Sequence, residues 1–179
     1  MIQVIDNFLS EEEFNFVFNY SRSALYKYGE IDDLDGPPQG VVHNIKRCKT
    51  GYSEEDYDIC PKISLLFENK LKEFVPNHKL YRMYINCFAQ SENPYFHIDS
   101  SSGTDQDEIT FLYYAEESWN LDDGGETQFF IDGRIYGVFP IPNRLVYFNA
   151  NLVHRATCFR DRHRFTFALK YDIESSDRW

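Results

Sequence analysis

His97 and Asp99 stand two residues apart in Tyr95-Phe96-His97-Ile98-Asp99. On a β-strand, residues i and i+2 point to the same face. An imidazole and a carboxylate then lean toward one point in space. They make two of the three ligands that a 2-His-1-carboxylate site offers to non-haem Fe(II). The pair alone does not make a site, because the same tripeptide on a solvated loop needs no metal. A third ligand must come from a distant strand, and His154 and His163 both lie downstream. His154 taken singly would be equally at home as a hydrogen-bonded core histidine. Arg164, with Thr166 two residues on, adds a second kind of chemistry. A guanidinium buried in a mostly apolar barrel requires an anion. Its fork of donors beside a hydroxyl suits a carboxylate. On a surface strand Arg164 would require nothing.

These residues need strands to hold them, and the pattern after Leu80 supplies strands. Apolar residues there recur with a period near two over 81–88, 95–99, 108–115, 126–131, 134–138, 145–148, 153–159 and 164–171. Asp122-Asp123-Gly124-Gly125 and Asp132-Gly133-Arg134 read as hairpin-type turns. Upstream the period is helical. Ser10-Glu11-Glu12-Glu13 matches a capping box, with Leu9 and Phe14 placed as a hydrophobic staple. Phe14, Val17, Phe18, Ser21 and Leu25 mark one buried face of that helix. Pro61 opens a second helix, buried along Ile63, Leu66, Phe67, Lys70, Leu71 and Phe74. Ile2, Val4 and Ile5 suit a short opening strand. Between Tyr28 and Asp58 no period survives, and Asp, Pro and Gly predict a long loop over the mouth of the barrel or a plain surface excursion. In that loop His43 and the cluster Lys46, Arg47 and Lys49 read as solvated, with substrate contact by the cluster as the other possibility. Two helices followed by about eight strands predict a mainly β fold, a sandwich or jelly roll backed by helices. The whole of 1–179 reads as one domain, with 1–79 as helical support and long loop and 80–173 as the core.

Composition narrows the function. Of the residues 42% are hydrophobic and 17% aromatic, which suits a packed β core. The formal net charge of −11 repels phosphate backbones and disfavours nucleic acid as a partner. No 18-residue apolar run is present, so no membrane span is expected. The first six residues lack the basic start and apolar stretch of a signal peptide. Cys48, Cys60, Cys87 and Cys158 form no C-x-x-C and read as free thiols in a reducing compartment. A cytoplasmic protein is expected.

Residues 81–173 resemble the Fe(II)- and 2-oxoglutarate-dependent dioxygenases, in their prolyl-hydroxylase-like branch. The resemblance rests on order: His97-x-Asp99, Thr110-Phe111-Leu112-Tyr113-Tyr114, Gly124-Gly125-Glu126-Thr127, His154, and Arg164 ten positions on. It implies a double-stranded β-helix, the jelly roll of that family. It implies iron on His97, Asp99 and His154, and the distal carboxylate of 2-oxoglutarate on Arg164, assisted by Thr166 and Tyr114. Arg164 is preferred over His163 because it begins an apolar strand, as the family's basic residue does. Where the family often has a cosubstrate-binding Tyr, this chain has Phe88. Asn86, with Tyr84 on the same face, is similar to the Asn of the alkylated-base demethylase branch, and both are assigned to the cosubstrate. Asp99 separates the site from related halogenases, which leave that position open for chloride.

The reaction that follows by resemblance is hydroxylation of an unactivated C–H bond. It consumes 2-oxoglutarate and O2 and releases succinate and carbon dioxide, and it leaves room for ascorbate as a reductant. A peptidyl, prolyl-type substrate is expected. The alternatives are a free amino acid or other small molecule, and a non-catalytic jelly-roll binding module.

Overall fold

The computed structural model describes residues 2–29, 39–48, 56–90, 92, 94–100 and 108–173. Strand β1 (Gln3–Ile5) leads into helix α1 (Glu11–Ser23). The helix starts at Ser10 because a capping box satisfies its free amides. The Ser10 hydroxyl accepts from Glu13 N at 3.3 Å, and the Glu13 carboxylate accepts from Ser10 N at 2.8 Å. It ends at Ser23, so Leu25 lies beyond it and is 86% exposed rather than on the buried face. Helix α2 (Pro61–Leu71) has its proline in the first turn, where a missing N–H costs nothing. Ile63, Phe67 and Leu71 form its buried stripe. Lys70 pairs with Glu13 at 2.9 Å and ties the two helices together.

The strands form two sheets. The larger contains β1, β2 (Lys27–Tyr28), β3 (Val41–Arg47), β4 (Tyr57–Asp58), β5 (His78–Phe88), β6 (Ile109–Tyr114), β9 (Leu145–Asn149) and β11 (Arg164–Ile173). Its order is β1-β9-β6-β11-β5-β3-β2, with β4 also on β3. The smaller has the order β10-β7-β8, from β7 (Thr127–Ile131), β8 (Arg134–Val138) and β10 (His154–Ala156). The pairings between these strands are antiparallel. This is a jelly roll, the double-stranded β-helix expected from the sequence.

Alternation along the central strands separates two cores. Met83 and Ile85 of β5, Phe111 and Tyr113 of β6, and Phe167 and Leu169 of β11 face α1 and α2, packing with Val17, Ile63, Phe67 and Leu71. The alternate residues Tyr84, Leu112, Tyr114 and Ala168 point the other way and meet Phe129 of the small sheet. The functional residues of β5 and β11 lie on this second face.

Several expectations are corrected. Residues 41–47 are not loop but a strand in the main sheet, paired with β5 and bulged between Asn44 and Lys46. His43 on that strand bonds the Tyr20 hydroxyl at 2.8 Å and the Leu25 carbonyl at 2.9 Å, so it is structural rather than merely solvated. Lys46 turns to the helix side and meets Glu68 at 2.5 Å. Residues 30–38 and 49–55 of the expected loop, Lys49 among them, lie outside the described residues. Residues 95–99 form no continuous strand, and His97 makes an isolated bridge to His154. The expected strand over 153–159 shortens to β10. Asp122–Gly125 is not a hairpin turn. A short 3-10 turn and two left-handed glycines there carry the chain from the large sheet to the small one. Asp132 and Gly133, at φ of 50° and 75°, do close the β7–β8 hairpin, as a two-residue turn with both residues left-handed must. No helix of the described residues is long and apolar enough to cross a membrane.

Candidate metal centre

Two backbone hydrogen bonds assemble the centre. His97 N donates to His154 O at 2.9 Å, and His154 N returns the bond to His97 O at 3.0 Å. Asp99 N donates to Ala150 O at 2.8 Å, which anchors the carboxylate beside them. One ligand atom each from His97, Asp99 and His154 then falls within 4.8 Å of the other two. His97 Nε2 lies 3.6 Å from Asp99 Oδ1, and His154 Nε2 lies 3.3 Å from Oδ2.

The tautomers follow from the outer bonds. His97 Nδ1 faces the Tyr95 carbonyl at 3.0 Å, and His154 Nδ1 faces the Leu152 carbonyl at 2.8 Å. A carbonyl only accepts, so each Nδ1 carries the proton and each Nε2 keeps its lone pair for the interior. Phe129 and Phe148 pack on the His154 ring and fix its plane. Thr110 of β6 donates to Asp99 Oδ2 at 2.8 Å, and the Lys170 ammonium of β11 contacts the same oxygen. Burial by itself would push the Asp99 carboxyl up. The Lys170 ammonium overcomes that and holds it well below the usual carboxylate range. Two imidazole lone pairs and a carboxylate, pointing into one buried space, form the donor set that suits a non-haem Fe(II) ion.

That space belongs to a cavity lined by both sheets. Tyr84, Asn86, Phe88, Leu112, Thr127, Ala156, Arg164, Thr166, Ala168 and Lys170 surround the triad, around roughly 410 Å3 of empty space including the part open to solvent. Arg164 is 2% exposed. Its Nε donates to Gly125 O at 2.8 Å, and its two terminal nitrogens donate to Thr166 Oγ1 at 2.7 Å and Thr127 Oγ1 at 2.9 Å. None of these acceptors is a carboxylate, so a buried cation faces the cavity with neutral hydrogen-bond acceptors around it. His163, the other candidate by spacing, is exposed and does not line the cavity.

Tyr84, Asn86 and Thr166 line the cavity as expected. Tyr114 does not. It is fully buried behind the wall, and its hydroxyl meets Thr127 Oγ1 at 2.7 Å. Trp119, expected near a strand end, stacks on Phe139 and donates to Gly124 O. Two polar lining residues were given no role from the sequence. Thr127 ends the Gly-Gly-Glu-Thr stretch and could have been found from that turn. Lys170 continues the alternation Arg164, Thr166, Ala168 on one face of β11, and that period was its signal.

A family model described as the 2OG-Fe(II) oxygenase superfamily matches residues 83–171, the span holding all of these groups. No curated protein matches the chain. Solved structures share the fold. A 2OG-Fe(II) oxygenase family oxidoreductase from Burkholderia pseudomallei superposes with a TM-score of 0.78 at 14% identity, over 96% of this chain and 84% of the other. A Trichoplax adhaerens prolyl hydroxylase, in complex with a peptide fragment of the hypoxia inducible factor oxygen degradation domain, gives 0.68 at 20% identity, over 97% and 84%. HygX from Streptomyces hygroscopicus with nickel and 2-oxoglutarate gives 0.72 at 13% identity, over 99% and 85%, and it is also known with hygromycin B bound. The matched span and the donor set agree: the chain belongs to the 2OG-Fe(II) oxygenase superfamily, as an oxidoreductase that uses Fe(II) and 2-oxoglutarate.

Proposed function

We propose that this oxygenase hydroxylates an unactivated C–H bond of a peptidyl substrate, with a prolyl residue as the first choice. In this reading His97, Asp99 and His154 hold the iron. Arg164 receives the distal carboxylate of 2-oxoglutarate, with Thr166 and Thr127 aligning its fork and Tyr114 bracing Thr127 from behind. Tyr84 and Asn86 flank the cosubstrate from β5. When bound, iron with 2-oxoglutarate and O2 supplies the oxidising power, and succinate and carbon dioxide leave. The protein's part is orientation and exclusion of water. Nδ1–H bonds keep both imidazoles aimed inward, and Leu112, Phe88 and Ala168 keep the cavity wall apolar.

The observation that carries this proposal is Arg164, buried and aimed into the same cavity as the triad. Peptide binding on this fold, in the Trichoplax prolyl hydroxylase complex, supports the substrate class. A small-molecule substrate is the second reading, favoured by hygromycin B on the similar fold of HygX. Succinate release, measured with Fe(II) and 2-oxoglutarate over a panel of prolyl peptides and free metabolites, decides between them. Stimulation by prolyl peptides is the expected result. Stimulation only by free metabolites refutes the peptidyl assignment.

A further inference from the structure

Asp99 of the triad has neighbours that a metal ligand does not require. Its Oδ2 accepts from the Thr110 hydroxyl at 2.8 Å and is contacted by the Lys170 ammonium. The ammonium also donates to Thr110 Oγ1 at 3.3 Å. Lys170 is 5% exposed, so its charge is held away from water. This arrangement conflicts with a metal ion. A divalent cation on the triad draws on the same carboxylate and repels the ammonium beside it. An apolar side chain at 170 would line the wall without that conflict, as Leu112 and Ala168 do elsewhere in the cavity.

A second buried carboxylate stands close by. Register sets Lys170 of β11 opposite Thr110 of β6, and Glu108 precedes Thr110 by two residues on the same face of the chain. Diagonal neighbours of that kind lie about 7–8 Å apart, within reach of a lysine side chain. The backbone brings Glu108 to Asp99 as well. Asp99 N donates to Ala150 O at 2.8 Å, and Ala150 N donates to Glu108 O at 2.9 Å, so one residue bridges the two. Glu108 is 2% exposed, and its Oε2 accepts from the Tyr81 hydroxyl at 3.2 Å. Burial, then the charges of Glu108 and Asp99, push the Tyr81 phenol up, which places one phenol in the field of both carboxylates. Two buried carboxylates thus lie within reach of one buried ammonium.

We propose that Lys170 is a positioning residue that sets the metal affinity of the site: it competes with the ion for Asp99, and Glu108 receives the ammonium as the ion binds. In this exchange Asp99 is never left buried without a positive partner, and Lys170 is never left without a negative one. Breaking either pair would leave an uncompensated buried charge. The competition weakens metal binding, and Glu108 limits the weakening. The two residues therefore pull metal affinity in opposite directions. This role concerns the iron site and holds whichever substrate the enzyme hydroxylates.

The test is Mn(II) binding to the full chain without cosubstrate, followed by the electron paramagnetic resonance signal of the free ion. Lys170→Met removes the competitor and should lower the Kd for Mn(II) by about tenfold or more, since the ion then becomes the partner of a buried Asp99. Lys170→Arg keeps the charge and should stay near the wild-type value. Glu108→Gln leaves the displaced ammonium without its receptor and should raise the Kd by about tenfold. Thermal unfolding gives an independent reading. The rise in Tm caused by saturating Mn(II) should be larger in Lys170→Met than in the wild type, because the protein without the ion loses the most from that change. Unchanged or weaker Mn(II) binding by Lys170→Met overturns the proposal, as does unchanged or tighter binding by Glu108→Gln. Should Lys170→Met yield no soluble protein, Glu108→Gln alone decides by the same signs. Undiminished Mn(II) binding by His154→Ala overturns the triad and this role together.

Discussion

As the proposed receptor for the distal carboxylate of 2-oxoglutarate, Arg164 offers the most direct perturbation. Its guanidinium is 2% exposed and already braced by Thr166, Thr127 and the Gly125 carbonyl, so it needs little reordering to accept a ligand. Removing one partner of a buried, hydrogen-bonded charge pair costs about 2–5 kcal/mol. At 1.4 kcal/mol per decade, Arg164→Ala should raise the Kd for 2-oxoglutarate by about 30-fold to about 4,000-fold. Arg164→Lys keeps the charge and loses the fork, so it should fall between that variant and the wild type. The assay is anaerobic titration of the Fe(II) protein with 2-oxoglutarate, following the visible charge-transfer band of the chelate. Thermal unfolding of the metal-free variant separates lost binding from lost fold, because Arg164→Ala also deletes three internal hydrogen bonds. Unchanged affinity in a folded Arg164→Ala protein refutes the assignment and moves the carboxylate to Lys170, the other buried cation of the cavity.

Further outcomes are expected elsewhere. His154→Ala should abolish the chelate band, and an unchanged band would remove His154 from the site. Gly125→Ala should destabilise the fold by about 1–3 kcal/mol in chemical denaturation, because a Cβ there meets the Phe159 ring at 2.5 Å and φ is +80°. It should also weaken 2-oxoglutarate binding, since the Gly125 carbonyl steadies Arg164. Phe67→Ala should cost about 3–5 kcal/mol, being fully buried between α2 and the sheet. Asp6 is held below the usual carboxylate range chiefly by its hydrogen bond from Arg144. A lowered folded pKa gives stability that is present above the unfolded value and lost as pH falls through the folded one. Asp6→Asn should therefore cost up to about 1 kcal/mol at pH 7, as befits an exposed pair, and nothing once both carboxyls are protonated. A cost that persists at the acid end would mean the pair is not its cause.

The triad and Arg164 were legible because His97-x-Asp99, His154 and Arg164 stand in the order that the resembled family uses. The helices were legible from capping and period. Strand β3 was not, because its bulge breaks the alternation after Asn44 and its flanks are rich in Asp, Pro and Gly. Residues 95–99 looked like a strand from composition, yet among the described residues their only ladder contact is the single His97–His154 bridge, and no local preference encodes that. Lys170 was passed over because one lysine near the end of an apolar strand looks like a solvated tip. Only its register against Arg82 and Thr110 gives it meaning. Tyr114 was placed on the correct face, but depth within the wall depends on packing that pattern does not carry.

Strand β11 has a consequence for how the protein is made. It lies between β5 and β6 in the sheet, yet it comes last in sequence among the described strands. Until it emerges from the ribosome, β5 and β6 each expose a long unpaired edge with apolar faces, the kind of surface on which nascent chains stick together. β1 likewise waits for β9, its partner in the sheet. Little of the sheet can close before β11 is made, and a chain stopped before Arg164 lacks both its middle strand and the buried cations Arg164 and Lys170. Such fragments should be prey for chaperones and proteases, and C-terminal truncation should abolish soluble expression well before it reaches the metal ligands.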